Sequence, residues 1–303
     1  MKTVYALPPK EDWICDRFVK EWTEDNSDIT VASPKDADVV WLLSSWCWLG
    51  LAQAGLLTGK KVITTIHHIT PEKFGPRERQ DFDLRDTLTT VYHVYNERTL
   101  EFIRPMTHKN IHLIHYWANQ KIWTPTTSTQ TARMKYGIPC NAYVAGSFQR
   151  DTEGSDLSTP KLEKGPDLLA DFIYKLKTLE GRTKELFVVL AGWRRQYIIS
   201  RLEKMNVSFK YFDLPSQATL NELYQTLDIY PVTARHEGGP QSLIECGLLN
   251  VPVVSRPVGI AEQVLPSSAI NNDVSLAIPA VPNVESWKLP YGYEQYRKLI
   301  EEI

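Results

Sequence analysis

The sequence predicts an α/β protein of about two domains, each built on a parallel sheet. Three observations carry this. Short apolar runs alternate with helix-period runs along both halves of the chain, and strands that alternate with helices imply parallel pairing through crossovers. Two strand-like runs, residues 61–66 and 186–191, are apolar or β-branched at almost every position, as a strand covered on both faces requires. The length of 303 residues suits about two domains of ordinary size.

In the first half, residues 3–7 form a short apolar strand stopped by Pro8 and Pro9. Residues 13–23 carry Trp13, Ile14, Phe18, Val19 and Trp22 at a helical period. Strands are expected at 29–32 and 38–43, a helix at 45–55, and the β-branched strand at 61–66. His67 and His68 follow its carboxyl end, where ligands of open α/β sheets bind. Adjacent side chains at a strand end diverge, which argues against one metal held by both. Residues 87–95 read as a strand, 96–103 as a helix capped by Asn96, and 111–114 as a short strand.

Residues 124–131 are rich in threonine and serine, as in a linker or exposed turn. A strand at 141–146 opens the second half. Residues 147–163, charged and rich in Ser, Thr and Gly, read as a long mobile loop, and such loops are often functional. A helical run at 168–179, the strand at 186–191, a helix through 200–204, a strand at 209–212, a helix at 219–227 and a strand at 229–232 follow. Residues 271–278 read as loop and short strand, 279–290 as a proline-rich extended stretch and 291–303 as a final helix.

Composition excludes some classes. The chain is 43% hydrophobic and 23% charged, with a formal net charge of -2, so it has no general electrostatic footprint for nucleic acid. Cys15, Cys47, Cys140 and Cys246 show no C-x-x-C spacing, which argues against a zinc site or disulfide framework and fits a reducing, cytoplasmic setting. The longest apolar candidate for a membrane span, residues 39–57, is interrupted by Ser44, Ser45, Gly50, Gln53 and Gly55. The opening residues are too short for a secretory signal and read as a strand.

The chemistry concentrates in Glu237-Gly238-Gly239-Pro240-Gln241-Ser242-Leu243-Ile244-Glu245. Proline favours the first helical position, so a helix is expected to start at Pro240. Glu237 then lies before the helix, and Glu245 roughly 8 Å along its axis. The amides of Gln241, Ser242 and Leu243 would point back toward Glu237, and such a helix end attracts anions. Gly238 and Gly239 let a ligand approach the backbone. One segment thus offers an anion seat and two carboxylates for hydroxyl groups, the pattern of a nucleotide diphosphate-sugar. Two solvated carboxylates at a helix start are the plainer reading.

The segment resembles the E-x7-E motif of retaining glycosyltransferases of family 4. Val251-Pro252-Val253-Val254-Ser255 and Gly259-Ile260-Ala261-Glu262 extend the likeness. The resemblance implies the GT-B architecture: two Rossmann-like domains with parallel sheets facing a cleft. The acceptor-side domain would be residues 1–117 plus 288–303, with a returning C-terminal helix, and the donor domain residues 118–287. It implies transfer of a sugar from a nucleotide diphosphate-sugar to a glycan, lipid-linked or other hydroxyl acceptor, with no metal and no further cofactor. Glu245 would hold the ribose hydroxyls and Glu237 hydroxyls of the transferred sugar. The stretch Gly238, Gly239, Pro240, Gln241, Ser242 and Leu243 would meet sugar and phosphates. Lys164, in a Lys-Gly pair, would stabilise charge on the leaving diphosphate. His67, ending Thr65-Ile66-His67, would reach the sugar. Arg194 and Arg195 stand where the family tends to have Gly-x-Gly and are candidate phosphate contacts.

The sequence also departs from the family. Pro8-Pro9-Lys10-Glu11-Asp12 replaces a glycine-rich loop, with Lys10 as a source of charge. Ser147 stands where an arginine is usual, and Arg150 is the nearest substitute. His115-Tyr116-Trp117 replaces a Pro-Asn-Gly-Val turn. These departures, with the small size, favour a second reading: a non-catalytic GT-B-like nucleotide or sugar binder, or a partner subunit of a transferase. An epimerase acting on nucleotide-sugars ranks third. UDP and GDP lead among the donor bases, with ADP behind them. Lipid-linked acceptors are common in the family, which leaves room for peripheral membrane contact.

Overall fold

The computed structural model describes residues 1–11, 14–181 and 183–303. Asp12 and Trp13, expected in the first loop and at the start of the first helix, lie outside the described residues. The chain divides into two compact units, residues 1–116 with 290–303, and residues 117–289.

The first unit carries five parallel strands in sequence order across the sheet: β1 (Val4–Ala6), β2 (Val39–Leu42), β3 (Lys61–Ile66), β4 (Val91–Val94) and β5 (Ile111–Leu113). The register pairs Val4 with Val39, Val39 with Lys61, Ile63 with Val91 and Tyr92 with Ile111. Every residue of β2 and β4 is buried, so both faces of the sheet are covered. The strand expected at 29–32 reduces to one bridge, Thr30 to Val4, on the edge of β1 away from β2. The chain therefore leaves β1 toward that edge and then crosses to β2. Its direction reverses between the carboxyl ends of β1 and β2.

The helices of this unit are α1 (Ile14–Asp25), α2 (Trp48–Gln53), α3 (Pro76–Asp86) and α4 (Glu97–Ile103), joined by the C-terminal helix Tyr291–Glu302. Asn96 caps α4, its side chain accepting from the Thr99 amide at 2.8 Å. Trp22 of α1 is fully buried and meets Trp41, Tyr293 and Tyr296 edge-on at 5.3–6.2 Å between ring centroids. Arg297 closes the C-terminal helix onto Asp28 at 2.6 Å. Tyr116 stacks on Tyr95 at 3.5 Å, so the residues that replace the expected turn after β5 fill core.

A buried polar relay runs beneath the sheet. Trp41 Nε1–H donates to Thr65 Oγ1 at 2.8 Å, Thr65 Oγ1 lies 2.9 Å from His93 Nδ1, and His93 Nε2 lies 3.0 Å from the Ile114 carbonyl. A carbonyl can only accept, so His93 is protonated on Nε2 and accepts from Thr65 on Nδ1. Burial pushes the imidazole pKa down from 6.5 to about 3. The unfolded chain binds this proton below about pH 6.5 and the folded chain does not until about pH 3. Stability is thus full above 6.5 and falls as pH drops toward 3. His93→Gln is expected to flatten that slope, read from urea unfolding across this window; an unchanged slope would exclude His93 as its source.

The second unit carries β6 (Tyr143–Ser147), β7 (Leu186–Ala191), β8 (Ser208–Phe212), β9 (Tyr230–Val232) and β10 (Val253–Ser255). The parallel pairs β6–β7, β7–β8 and β9–β10 join through the bridge from Ala145 to Ile229, giving the order β8-β7-β6-β9-β10. Its helices are α5 (Thr129–Tyr136), α6 (Pro166–Thr178), α7 (Gln196–Lys204), α8 (Gln217–Tyr224), α9 (Gln241–Leu249) and α10 (Ala261–Val264). Leu169 and Ile173 of α6 pack with Ile198 and Leu202 of α7 against Val188 and Leu190 of β7.

Residues 124–131 are mostly exposed, as expected of a turn, and are tied down: Gln225 Oε1 accepts the amides of Thr126 and Thr127 at 3.0 Å, and Ser128 caps α5. Two other loop expectations are corrected. Residues 147–163 form a pinned excursion, with Thr152 bridged antiparallel to Pro160 and the Lys161 amide bonded to the Asp151 carbonyl at 2.8 Å. The short strand expected within 271–278 is a single helical turn, Val274–Leu276, capped by Asp273.

Candidate functional site

In the second unit the chain leaves β6 for β7 and β8 on one side, then crosses to β9 and β10 on the other. The reversal lies between β6 and β9, and the crevice at their carboxyl ends is where ligands of such sheets bind. The Lys164–Gly165 turn before α6 and the segment after β9 meet there. Gly165 has φ +62°, and a Cβ on it would stand 2.0 Å from the Thr233 carbonyl oxygen. Only glycine permits that approach. Thr233 Oγ1 donates to the Gly165 carbonyl at 2.9 Å, the Arg235 amide to the Glu163 carbonyl at 2.8 Å, and the Arg235 guanidinium grips Asp167 through two bonds. This clamp brings the Lys164 ammonium onto Glu237 Oε1, both side chains partly exposed. Gln149 steadies the turn through the Lys164 carbonyl at 2.8 Å.

The motif helix starts one residue later than expected. Pro240 is its cap, with ψ 114°, an extended value that keeps the proline outside α9. The Leu243 amide donates to the Pro240 carbonyl at 2.9 Å. That corrects Leu243: its N–H closes the first turn and is not left for a ligand. Gly238 and Gly239 are buried beneath Gly259, whose φ is +56° and whose Cβ would lie 2.9 Å from the Gly238 carbonyl oxygen. Glu245 is 5% exposed and accepts from the Tyr224 hydroxyl at 2.6 Å. Burial first, and the Glu245 charge second, push the Tyr224 phenol well above its usual pKa, so it stays a donor that orients this carboxylate. The sequence singled out Glu245 but carried no signal for Tyr224, which joins it only through the packing of α8 on α9.

The arginines behave differently from the expectation. Arg195 is fully buried. Its guanidinium donates to the carbonyls of Ser147 at 2.5 Å and Ala191 at 2.9 Å, to Ser147 Oγ at 3.0 Å, and to Asp151 Oδ2 at 3.2 Å. It is a strut tying the ends of β6 and β7 together, which corrects its assignment as a phosphate contact: its donors are spent on protein. Arg194 sits at φ +61°, is 9% exposed and donates to the Gly154 carbonyl. Arg150 donates to the Thr152 carbonyl at 2.7 Å. Both guanidinium carbons lie 5.1 Å from the Trp193 ring centroid. Arg150 and Arg194 thus gather on Trp193, while Lys164 pairs with Glu237.

In the first unit His67 ends β3 half-buried. Its Nε2–H donates to the Leu43 carbonyl at 2.9 Å, and Nδ1 lies 3.3 Å from the Tyr116 hydroxyl. The amides of Lys10 and Glu11 donate to the Asp16 carboxylate at 2.9 and 2.8 Å, so this loop turns its donors inward where a glycine loop would aim them at phosphate.

No family model matches the chain, and no curated protein matches it. Solved structures do. Anabaena Alr3699/HepE in complex with UDP-glucose superposes with a TM-score of 0.71 at 12% identity, over 91% of this chain and 88% of that one. The fold is that of the GT-B glycosyltransferases. A glycosyltransferase from Rickettsia africae superposes with a TM-score of 0.62 at 14% identity, over 91% and 86%. Sucrose-phosphate synthase from Thermosynechococcus elongatus gives 0.58 at 14%, over 87% and 66%. At these identities the likeness is one of fold. Among the described residues no helix is long and apolar enough to cross a membrane.

Proposed function

We propose that this protein is a retaining glycosyltransferase of the family 4 type that takes its sugar from a nucleotide diphosphate-sugar. The observation that carries the reading is the meeting of Lys164 and Glu237 at the reversal point of the second sheet, beside the amino end of α9. A diphosphate fits there. The amides of Gln241 and Ser242 face it with the helix dipole behind them, and Lys164 exchanges Glu237 for phosphate oxygens. Glu237, released, accepts hydroxyl bonds from the sugar. Glu245, fixed by Tyr224, accepts from the ribose. Charge grows on the diphosphate as the sugar–phosphate bond breaks, and Lys164 and the helix end stabilise it without reorganising. The chain's own basic groups and amides supply this stabilisation, so the reading needs no metal. That HepE, with the same fold, holds UDP-glucose supports UDP as the first donor to try.

The second reading, a binder without catalysis, draws on Arg195 being buried and on Ser147 standing in place of an arginine. Thermal unfolding with UDP, GDP and ADP tests the donor site. At 100 times its dissociation constant a nucleotide stabilises by about 2.7 kcal/mol. One of the three is expected to do so for the wild type and to lose most of that effect in Glu245→Ala. No shift from any of them would sink the donor site. Binding without slow release of nucleoside diphosphate from its sugar would favour the second reading.

A further inference from the structure

Three side chains from neighbouring strand ends meet at the reversal point of the first sheet. Glu11 follows β1, Trp46 follows β2 and His67 follows β3. Trp46 is 50% exposed, yet it is not a loose surface indole. Its Nε1–H donates to Glu11 Oε1 at 3.0 Å, and its ring lies 5.8 Å from the His67 ring, tilted by 49°. Glu11 is itself positioned, since Asp16 holds its amide and that of Lys10. His67 is anchored on the Leu43 carbonyl. The exposed aromatic surface is therefore fixed in advance, and a ligand that covers it orders few new groups.

The chemistry of the patch selects the ligand. A flat apolar ring covers C–H groups, and a carboxylate with acceptor positions beyond the one used by the indole takes O–H donors. A sugar ring presents both. An anion would meet Glu11 and Asp16. A lipid interface would suit Trp46 and the half-exposed Leu49, but would desolvate the Glu11 carboxylate that holds the indole, at high cost. We propose that Trp46 and Glu11 form a platform for a neutral carbohydrate, with a pyranose face on the indole and its hydroxyls on Glu11. Taken with the donor assignment, and resting on it, that carbohydrate is the acceptor.

The test uses the full chain labelled with 5-fluorotryptophan, the Trp46 fluorine signal being assigned by its loss in Trp46→Phe. Methyl α-glucoside, methyl α-mannoside, methyl β-galactoside, maltose and cellobiose are titrated in turn. At least one is expected to move the Trp46 signal saturably. Glu11→Gln is expected to weaken that sugar roughly tenfold or more, as loss of a charge-assisted hydrogen bond does. Trp46→Ala should leave the nucleotide thermal shift unchanged. No response to any of these sugars overturns the platform. So does a Trp46 response confined to phosphatidylcholine–phosphatidylglycerol vesicles, which would make the patch a membrane contact. Sugar binding without any nucleotide shift would sink the donor reading and leave the platform standing; the reverse result sinks the platform alone.

Discussion

Lys164→Met is expected to lower sugar transfer by about 10²- to 10³-fold, the usual loss when one preorganised donor to a developing oxyanion is removed. The substitution keeps the unbranched stem of the side chain and the Gly165 turn that places it. The Lys164–Glu237 pair is part-exposed, so its loss should change stability by no more than about 1 kcal/mol. The effect should also fall unevenly. The resting pair already satisfies Lys164, and the ammonium must trade Glu237 for phosphate. Ground-state binding of the diphosphate gains little from that exchange, whereas the extra charge of the leaving group gains more. The rate constant should therefore drop more than donor affinity does, as measured by single-turnover transfer beside nucleotide titration. A variant that binds nucleotide tenfold more weakly yet turns over normally would remove Lys164 from the chemistry.

The parts of the molecule written locally were legible in the sequence. The strands β3 and β7 fall on the residues expected, because runs such as Val62–Ile66 and Leu186–Ala191 suit only a strand buried on both faces. Asn96 caps α4 and the turn at Gly165 precedes α6 for equally local reasons. Helix α3 was missed because Pro76–Asp86 is almost wholly polar and buries only Phe82 and Arg85, so no apolar period marks it. At the site, the sequence singled out Glu237, Lys164 and Glu245. It said nothing of the clamp from Thr233 and Arg235 onto Gly165 and Asp167, or of Tyr224 on Glu245. Those contacts join residues 21 to 68 positions apart. Arg195 is the sharpest case. A basic residue at a strand's carboxyl end reads as a phosphate ligand, and only the buried carboxylate of Asp151, 44 residues earlier, turns it inward.

That inward turn has a large consequence. Arg195→Met is expected to destabilise the second unit by about 3–5 kcal/mol, the loss typical of removing one partner from a buried pair. Both side chains are essentially inaccessible, and Asp151 Oδ2 also accepts the Ile198 amide of α7 at 3.2 Å. Methionine fills much of the volume but leaves a carboxylate without its cation. Burial already holds the Asp151 pKa above its usual value, against the opposing pull of Arg195. Without the guanidinium it must rise further. An acid whose folded pKa is raised keeps its proton where the unfolded chain has lost it. Its folded state is thus favoured at low pH and penalised as pH climbs from about 4 through the raised pKa. The deficit of Arg195→Met should therefore be largest near neutrality and shrink on acidification, and Asp151→Asn added to it should recover part of the loss at neutral pH. Urea unfolding of the single and double variants, at neutral pH and near pH 5, measures both effects. A stable Arg195→Met chain that had lost only nucleotide binding would restore the arginine to the donor phosphates and break the strut. A destabilised chain whose nucleotide shift survives below its unfolding transition would fix Arg195 as the tie between β6 and β7, leaving anion binding to Lys164 and the amino end of α9.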